Sequence, residues 1–130
     1  MYPLTIERKQ DRVAMIDERR RFKRVKALLT GSISFISGST KPLALSVTCL
    51  DLSPEGALIS LNYPLTEGTM LSLSLVMPDG LLSVKAEVMR CEPSRSGSKQ
   101  WAGLRFITIT ESDRRRIMRY VFEEDARLAI

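Results

Sequence analysis

From Val25 to Ile107 the chain is a series of short runs rich in apolar and β-branched residues, each ended by a cluster of Gly, Pro, Ser or Asp. VKALLTGSISFI stops at SGSTKP, LALSVTCL at DLSPEG and ALISLNY at PLTEG. TMLSLSLVM stops at PDG and LLSVKAEVMRC at EPSRSGSK, before QWAGLRFITI closes the series. Runs of this length with loops of hairpin size predict six antiparallel strands. Leu71, Leu73 and Leu75 alternate with polar neighbours, as do Val84, Ala86 and Val88, so each of these strands has one buried and one wet face. A small chain built this way must curl its sheet into a barrel or a sandwich.

The period changes after Thr110. In TESDRRRIMRYVFEEDARLAI, Thr110 and Asp113 have capping-box spacing, and Ile117, Val121 and Leu128 fall near one helical face with Met118 and Phe122 beside it. This predicts a C-terminal helix over about 111–127. Residues 111–127 hold five Lys/Arg against five Asp/Glu, so the apolar stripe is expected to cover an open end of the sheet structure or to meet a partner, not a membrane. At the other end, residues 1–18 form an N-terminal arm in which Ile6, Val13 and Ile16 outline a short helix.

At 130 residues the chain is the size of one domain with one core. No apolar run is long enough to span a bilayer and no secretory signal is evident, so a cytoplasmic location is expected. Cys49 and Cys91 lie in apolar-rich segments and read as buried thiols. There is no histidine, which excludes a Ser/His/Asp triad, a Cys/His pair and a His metal site, and no phosphate loop of the G-x-x-x-x-G-K-[ST] type occurs. Serine/lysine and carboxylate-only catalysis stay open, but no spacing points to either, and the chain is read as a binding protein and not an enzyme, with no cofactor and no metal.

The net charge of +5 is concentrated. Residues 7–26 carry nine Lys/Arg against four Asp/Glu, and residues outside 7–26 and 111–127 carry six of each. Arg19, Arg20, Arg21, Lys23 and Arg24 lie within six positions, so an anionic partner is drawn to this segment. Read alone, the run is a solvated or polyanion-binding arm, and DLSPEG, Asp51 to Gly56, is a tight turn. In that turn Asp51 and Ser53 bond nearby backbone, Pro54 fixes φ, and Gly56 takes a conformation closed to other residues.

Taken together, these two segments resemble a known family. Arg20 and Arg24 make R-x-x-x-R just before the first strand, and Asp51, Ser53 and Gly56 make D-x-S-x-x-G after the second. The ordered pair is similar to the two-part signature of the PilZ domain, whose members bind the bacterial second messenger cyclic di-GMP. PLTEGTMLSLSLVMPDG and WAGLRF resemble that family's Gly-containing turn with its following strand and its last strand. The resemblance covers roughly residues 18–125, and it implies a six-stranded antiparallel β-barrel, about 25–108, with a C-terminal helix, in a domain over 19–130.

It also implies a ligand set: Arg19, Arg20, Arg24, Asp51, Ser53 and Gly56 for cyclic di-GMP, with Arg21, Gly103 and Arg105 as secondary candidates. The chemistry agrees. Arginine grips two phosphate oxygens, donates twice to guanine O6 and N7, or stacks on a purine. A carboxylate such as that of Asp51 accepts from the donors N1 and N2 of guanine. An arginine at position 19 is associated in the family with a stacked ligand pair, which implies two cyclic di-GMP per chain. The expected mechanism is an arm that folds over the barrel on binding and so signals to a downstream protein. Two other readings remain: a PilZ-like module that works through protein contacts alone, and a small basic barrel that binds nucleic acid. Against the second, only eight Phe, Tyr and Trp residues occur and no strand carries an aromatic ladder.

Overall fold

The computed structural model describes residues 25–35 and 44–128. Six strands follow one another: β1 Val25–Phe35, β2 Leu45–Ser53, β3 Gly56–Leu61, β4 Met70–Met77, β5 Gly80–Pro93 and β6 Gln100–Thr108. Every pairing is antiparallel, and the sheet closes in the order β1-β2-β3-β6-β5-β4 with β4 returning to β1. The sheet is thus a barrel, not a sandwich. Among the described residues one helix, α1, spans Glu111–Leu128.

The predicted alternation fills the interior. Leu71, Leu73 and Leu75 on β4 and Ala86 and Val88 on β5 are buried, and they meet Ile33, Cys49, Leu52, Ile59 and Leu104 in one core. Each fully buried aliphatic side chain of this kind contributes about 1.5–3 kcal/mol relative to exposure. Cys49 is buried, but Cys91 is only partly so. The Cys91 thiol sits among polar groups, accepting from the Leu65 N–H at 3.3 Å and donating to Gln100 Oε1 at 3.7 Å.

Two interruptions of the alternation matter for the surface. On β2, Val47 and Cys49 point inward, but the pairing with β3 then steps from Cys49↔Ile59 to Asp51↔Leu58, leaving Leu50 as an extra residue. Leu52 becomes the next inward residue and Asp51 faces out. On β5 the pairing with β6 steps from Val88↔Leu104 to Arg90↔Gly103, with Met89 extra. Such bulges bend a strand and re-aim its side chains. The first of them corrects the sequence reading of DLSPEG. Pairing continues through Ser53↔Gly56, so Asp51 belongs to the strand and the turn is only Pro54 and Glu55.

The helix begins where expected. Thr110 Oγ1 accepts from the Asp113 N–H at 3.0 Å, as an N-cap does, while the Asp113 carboxylate turns to Arg116 at 3.3 Å and away from the other half of a capping box. Ile117, Tyr120 and Val121 are buried, and α1 packs against β1 and β2. Met118 and Phe122 face solvent, at 42% and 74% exposure, so the buried stripe is completed by Tyr120 and not by these two. The β4–β5 turn lies at the same end of the barrel, and Arg116 grips it. Its guanidinium meets both Asp79 carboxylate oxygens, at 3.1 and 2.9 Å, and donates to the Gly80 and Leu81 carbonyls at 3.0 and 2.9 Å. No helix among the described residues is long and apolar enough to cross a membrane.

Candidate functional site

The outer faces of β2, β3, β6 and β5 carry the described residues singled out in the sequence. Register fixes their order. One cross-strand row runs Lys26, Asp51, Leu58, Gly103, Arg90, and the row beside it runs Gly56, Arg105, Glu87. Asp51 is partly buried, and its Oδ1 is withdrawn from solvent. Arg105 is exposed and ion-paired with Glu87 across the strands. Beside these rows, Ser53, Gly56, Leu58, Arg90, Gly103 and Arg114 help to line an open cleft of about 720 Å³.

Two motif residues hold the scaffold itself. Ser53 is 2% exposed, and its Oγ accepts from the Glu55 N–H at 3.1 Å, which fastens the two-residue turn. Gly56 was expected to need an unusual backbone conformation. Its φ is not positive; among the described residues only Gly68, Gly80 and Gly97 have positive φ. The reason for glycine is instead contact: a Cβ there would stand 2.2 Å from the Leu104 carbonyl oxygen, so β3 can lie against β6 only without one.

Arg19, Arg20, Arg21 and Arg24, and the arm over 1–18, lie outside the described residues. What is described is the start of β1. Val25 pairs with Leu52 and Lys26 with Asp51, so the residue that follows R-x-x-x-R in the chain sits on the same rungs as D-x-S-x-x-G. The sequence reading did not single out Arg90 or Arg114. Arg114 sits in the first turn of α1, where its N–H bonds the Thr110 carbonyl at 2.9 Å, and nothing in a run of arginines marks which one borders a cleft. Arg90 follows an alternating series that would carry it into the barrel, and only the bulge turns it outward. Among the described residues no group of Cys, Asp and Glu side chains is arranged to hold a metal ion.

Chemically, the face offers a carboxylate acceptor, several arginines and backbone left uncovered by glycine. That set suits an anionic ligand with hydrogen-bond donors on a flat ring.

The comparisons bear on both sequence and shape. The PilZ domain model matches residues 18–123. A search of curated proteins finds no match. Among solved structures, the Bacillus subtilis inhibitor of motility (MotI/DgrA) superposes with a TM-score of 0.71 at 18% identity, over 84% of this chain and 52% of that one. The chain thus spans about half the length of that protein. The PilZ domain of YcgR from Escherichia coli, solved with c-di-GMP, gives a TM-score of 0.63 at 20% identity, covering 85% of this chain and 96% of that one. YcgR in complex with c-di-GMP gives 0.68 at 21% identity, covering 85% and 49%. At these identities the likeness is one of fold: a six-stranded antiparallel barrel with a C-terminal helix.

Proposed function

Because the chain belongs to the PilZ domain family, we propose that it is a receptor for cyclic di-GMP that relays ligand binding to a downstream protein. The observation that carries this reading is the β1–β2 register. Val25, the first residue after R-x-x-x-R, pairs with Leu52 between Asp51 and Ser53, which supports reading the two halves of the signature as parts of one site. Two arginines and one carboxylate, acting together, would complement a ligand whose phosphates are anionic and whose guanines present N1 and N2 as donors.

In this reading Arg20 and Arg24 grip phosphate or guanine O6 and N7, and Asp51 accepts from a guanine edge. Ser53 and Gly56 keep the β2–β3 turn and the β3–β6 contact in the shape the ligand meets. Arg19 covers the outer purine of a second ligand, giving two cyclic di-GMP per chain. Closing of the arginine segment over the barrel is the change a partner would sense. The chemistry asked of the chain is recognition, and no reaction is assigned to it.

Calorimetric titration of the purified chain tests this. Cyclic di-GMP is expected to bind saturably while GTP and the linear dinucleotide bind far more weakly. Absence of binding by folded protein overturns the receptor reading in favour of a module that acts through protein contacts alone. Tight binding of mixed-sequence RNA or DNA with a steep salt dependence overturns it in favour of a polyelectrolyte.

A further inference from the structure

We propose that Arg90, on β5, is a further ligand-binding residue of this face, meeting the anionic ligand at the end away from Asp51; this rests on the receptor reading above. Four observations converge on it. Strand alternation after Val84, Ala86 and Val88 would point residue 90 into the barrel, and the bulge at Met89 turns it out. A bulge costs ladder regularity, and such irregularities concentrate where a side chain must be aimed.

Arg90 then lies across a glycine. Its Cγ and Nε both stand 3.4 Å from where a Cβ of Gly103 would be, so the side chain rests low on β6, along the cleft wall. A larger residue at 103 would lift it off. Its charge is also uncommitted. Arg105, two residues from Gly103, is neutralised by Glu87, but Arg90 makes no hydrogen bond or ion pair among the described residues although it borders the cleft.

The fourth observation is symmetry of device. The bulge at Leu50 turns Asp51 outward just as the bulge at Met89 turns Arg90 outward, and both residues land on one row, with Leu58 and Gly103 between them. Three strand-to-strand steps of about 4.8 Å set their Cα atoms roughly 14 Å apart at most, and the Arg90 side chain leans back over β6 to shorten that span. The row therefore has an acceptor at one end, a low floor in the middle and a cation at the other end. A guanine edge fits the first, and a phosphate or a second purine face fits the last.

The test compares two charge-equivalent variants of the whole chain, Arg90→Gln and Arg95→Gln, by calorimetry with cyclic di-GMP. Arg95 is exposed on the β5–β6 loop and does not border the cleft. Arg90 is likewise exposed and holds nothing in place among the described residues, so both variants retain the fold. The expected result is a tenfold to hundredfold rise in Kd for Arg90→Gln, the size of one lost charge-assisted contact, and a change of less than about twofold for Arg95→Gln. Equal losses in both variants, or none in Arg90→Gln, overturn the assignment while leaving the receptor reading intact. Failure of the unsubstituted protein to bind overturns both.

Discussion

A methyl group at position 56 would meet the Leu104 carbonyl oxygen at 2.2 Å, a backbone atom that cannot move aside without separating β3 from β6. Gly56→Ala is therefore expected to lose about 1–3 kcal/mol of stability, read as a shifted urea midpoint, before any question of ligand arises. Its effect on binding follows from the damaged scaffold. Asp51→Ala is expected to make the opposite contrast: the fold persists, seen as a retained melting transition, while the proposed cyclic di-GMP binding is lost, as read by calorimetry. Arg20 and Arg24 are expected to be intolerant of lysine. If each makes a two-pronged contact, Arg→Lys raises Kd nearly as far as Arg→Ala, about tenfold to a hundredfold, whereas Lys9 and Arg12 substitutions change it little. At this scale the sequence was most informative where residue type and spacing carry the chemistry, as in D-x-S-x-x-G. It was silent on Arg90, because the bulge that exposes it is a property of pairing with β6, not of the residues VMRC themselves.

Among the elements, α1 was legible from its 3.6-residue period and its N-cap, but the period alone did not separate Tyr120, which is buried, from Phe122, which is 74% exposed. What decides is which side of α1 lies against β1 and β2, and Arg116 ties that helix to the β4–β5 turn. The hydrogen bond from Arg116, reinforced by the charges of Arg116 and Arg119, outweighs desolvation and holds the Asp79 carboxyl below its ordinary value of 3.8. A carboxyl depressed in the folded state binds its proton more readily when unfolded. Its contribution to stability is thus present above the ordinary carboxylate range and is lost as pH falls through the folded value. Melting temperatures measured from pH 7 down to pH 3 should fall more steeply for the natural chain than for Asp79→Asn, which lacks the titrating group. Thr110→Ala removes the acceptor for the Asp113 N–H and is expected to cost about 1 kcal/mol, measured by chemical denaturation at neutral pH.

For the molecule as a whole, ligand binding should appear as stability. At a hundredfold excess over Kd, cyclic di-GMP adds about 2.7 kcal/mol to the folded state, a rise in Tm of roughly 10 °C for a domain of this size. Two ligands per chain are expected by calorimetry, falling to one in Arg19→Ala. Strand number and inward residues could be read along the chain because Leu71, Leu73 and Leu75 announce their face by alternation. Partnership could not. Nothing in ALISLNY states that β3 lies beside β6 and not β4, since that choice depends on Gly56 and on the closure of the ring.

That closure also sets a clock. The ring is complete only when Gly31 finds Leu75 and Gly56 finds Arg105, contacts far apart along the chain whose loop entropy must be overcome before they gain anything in return. Helical bundles fold in roughly microseconds to milliseconds, whereas this barrel is expected to refold from denaturant in roughly milliseconds to seconds. A newly made chain would therefore spend that interval with the β1 and β4 edges open to neighbours, so the yield of refolding is expected to fall as protein concentration rises.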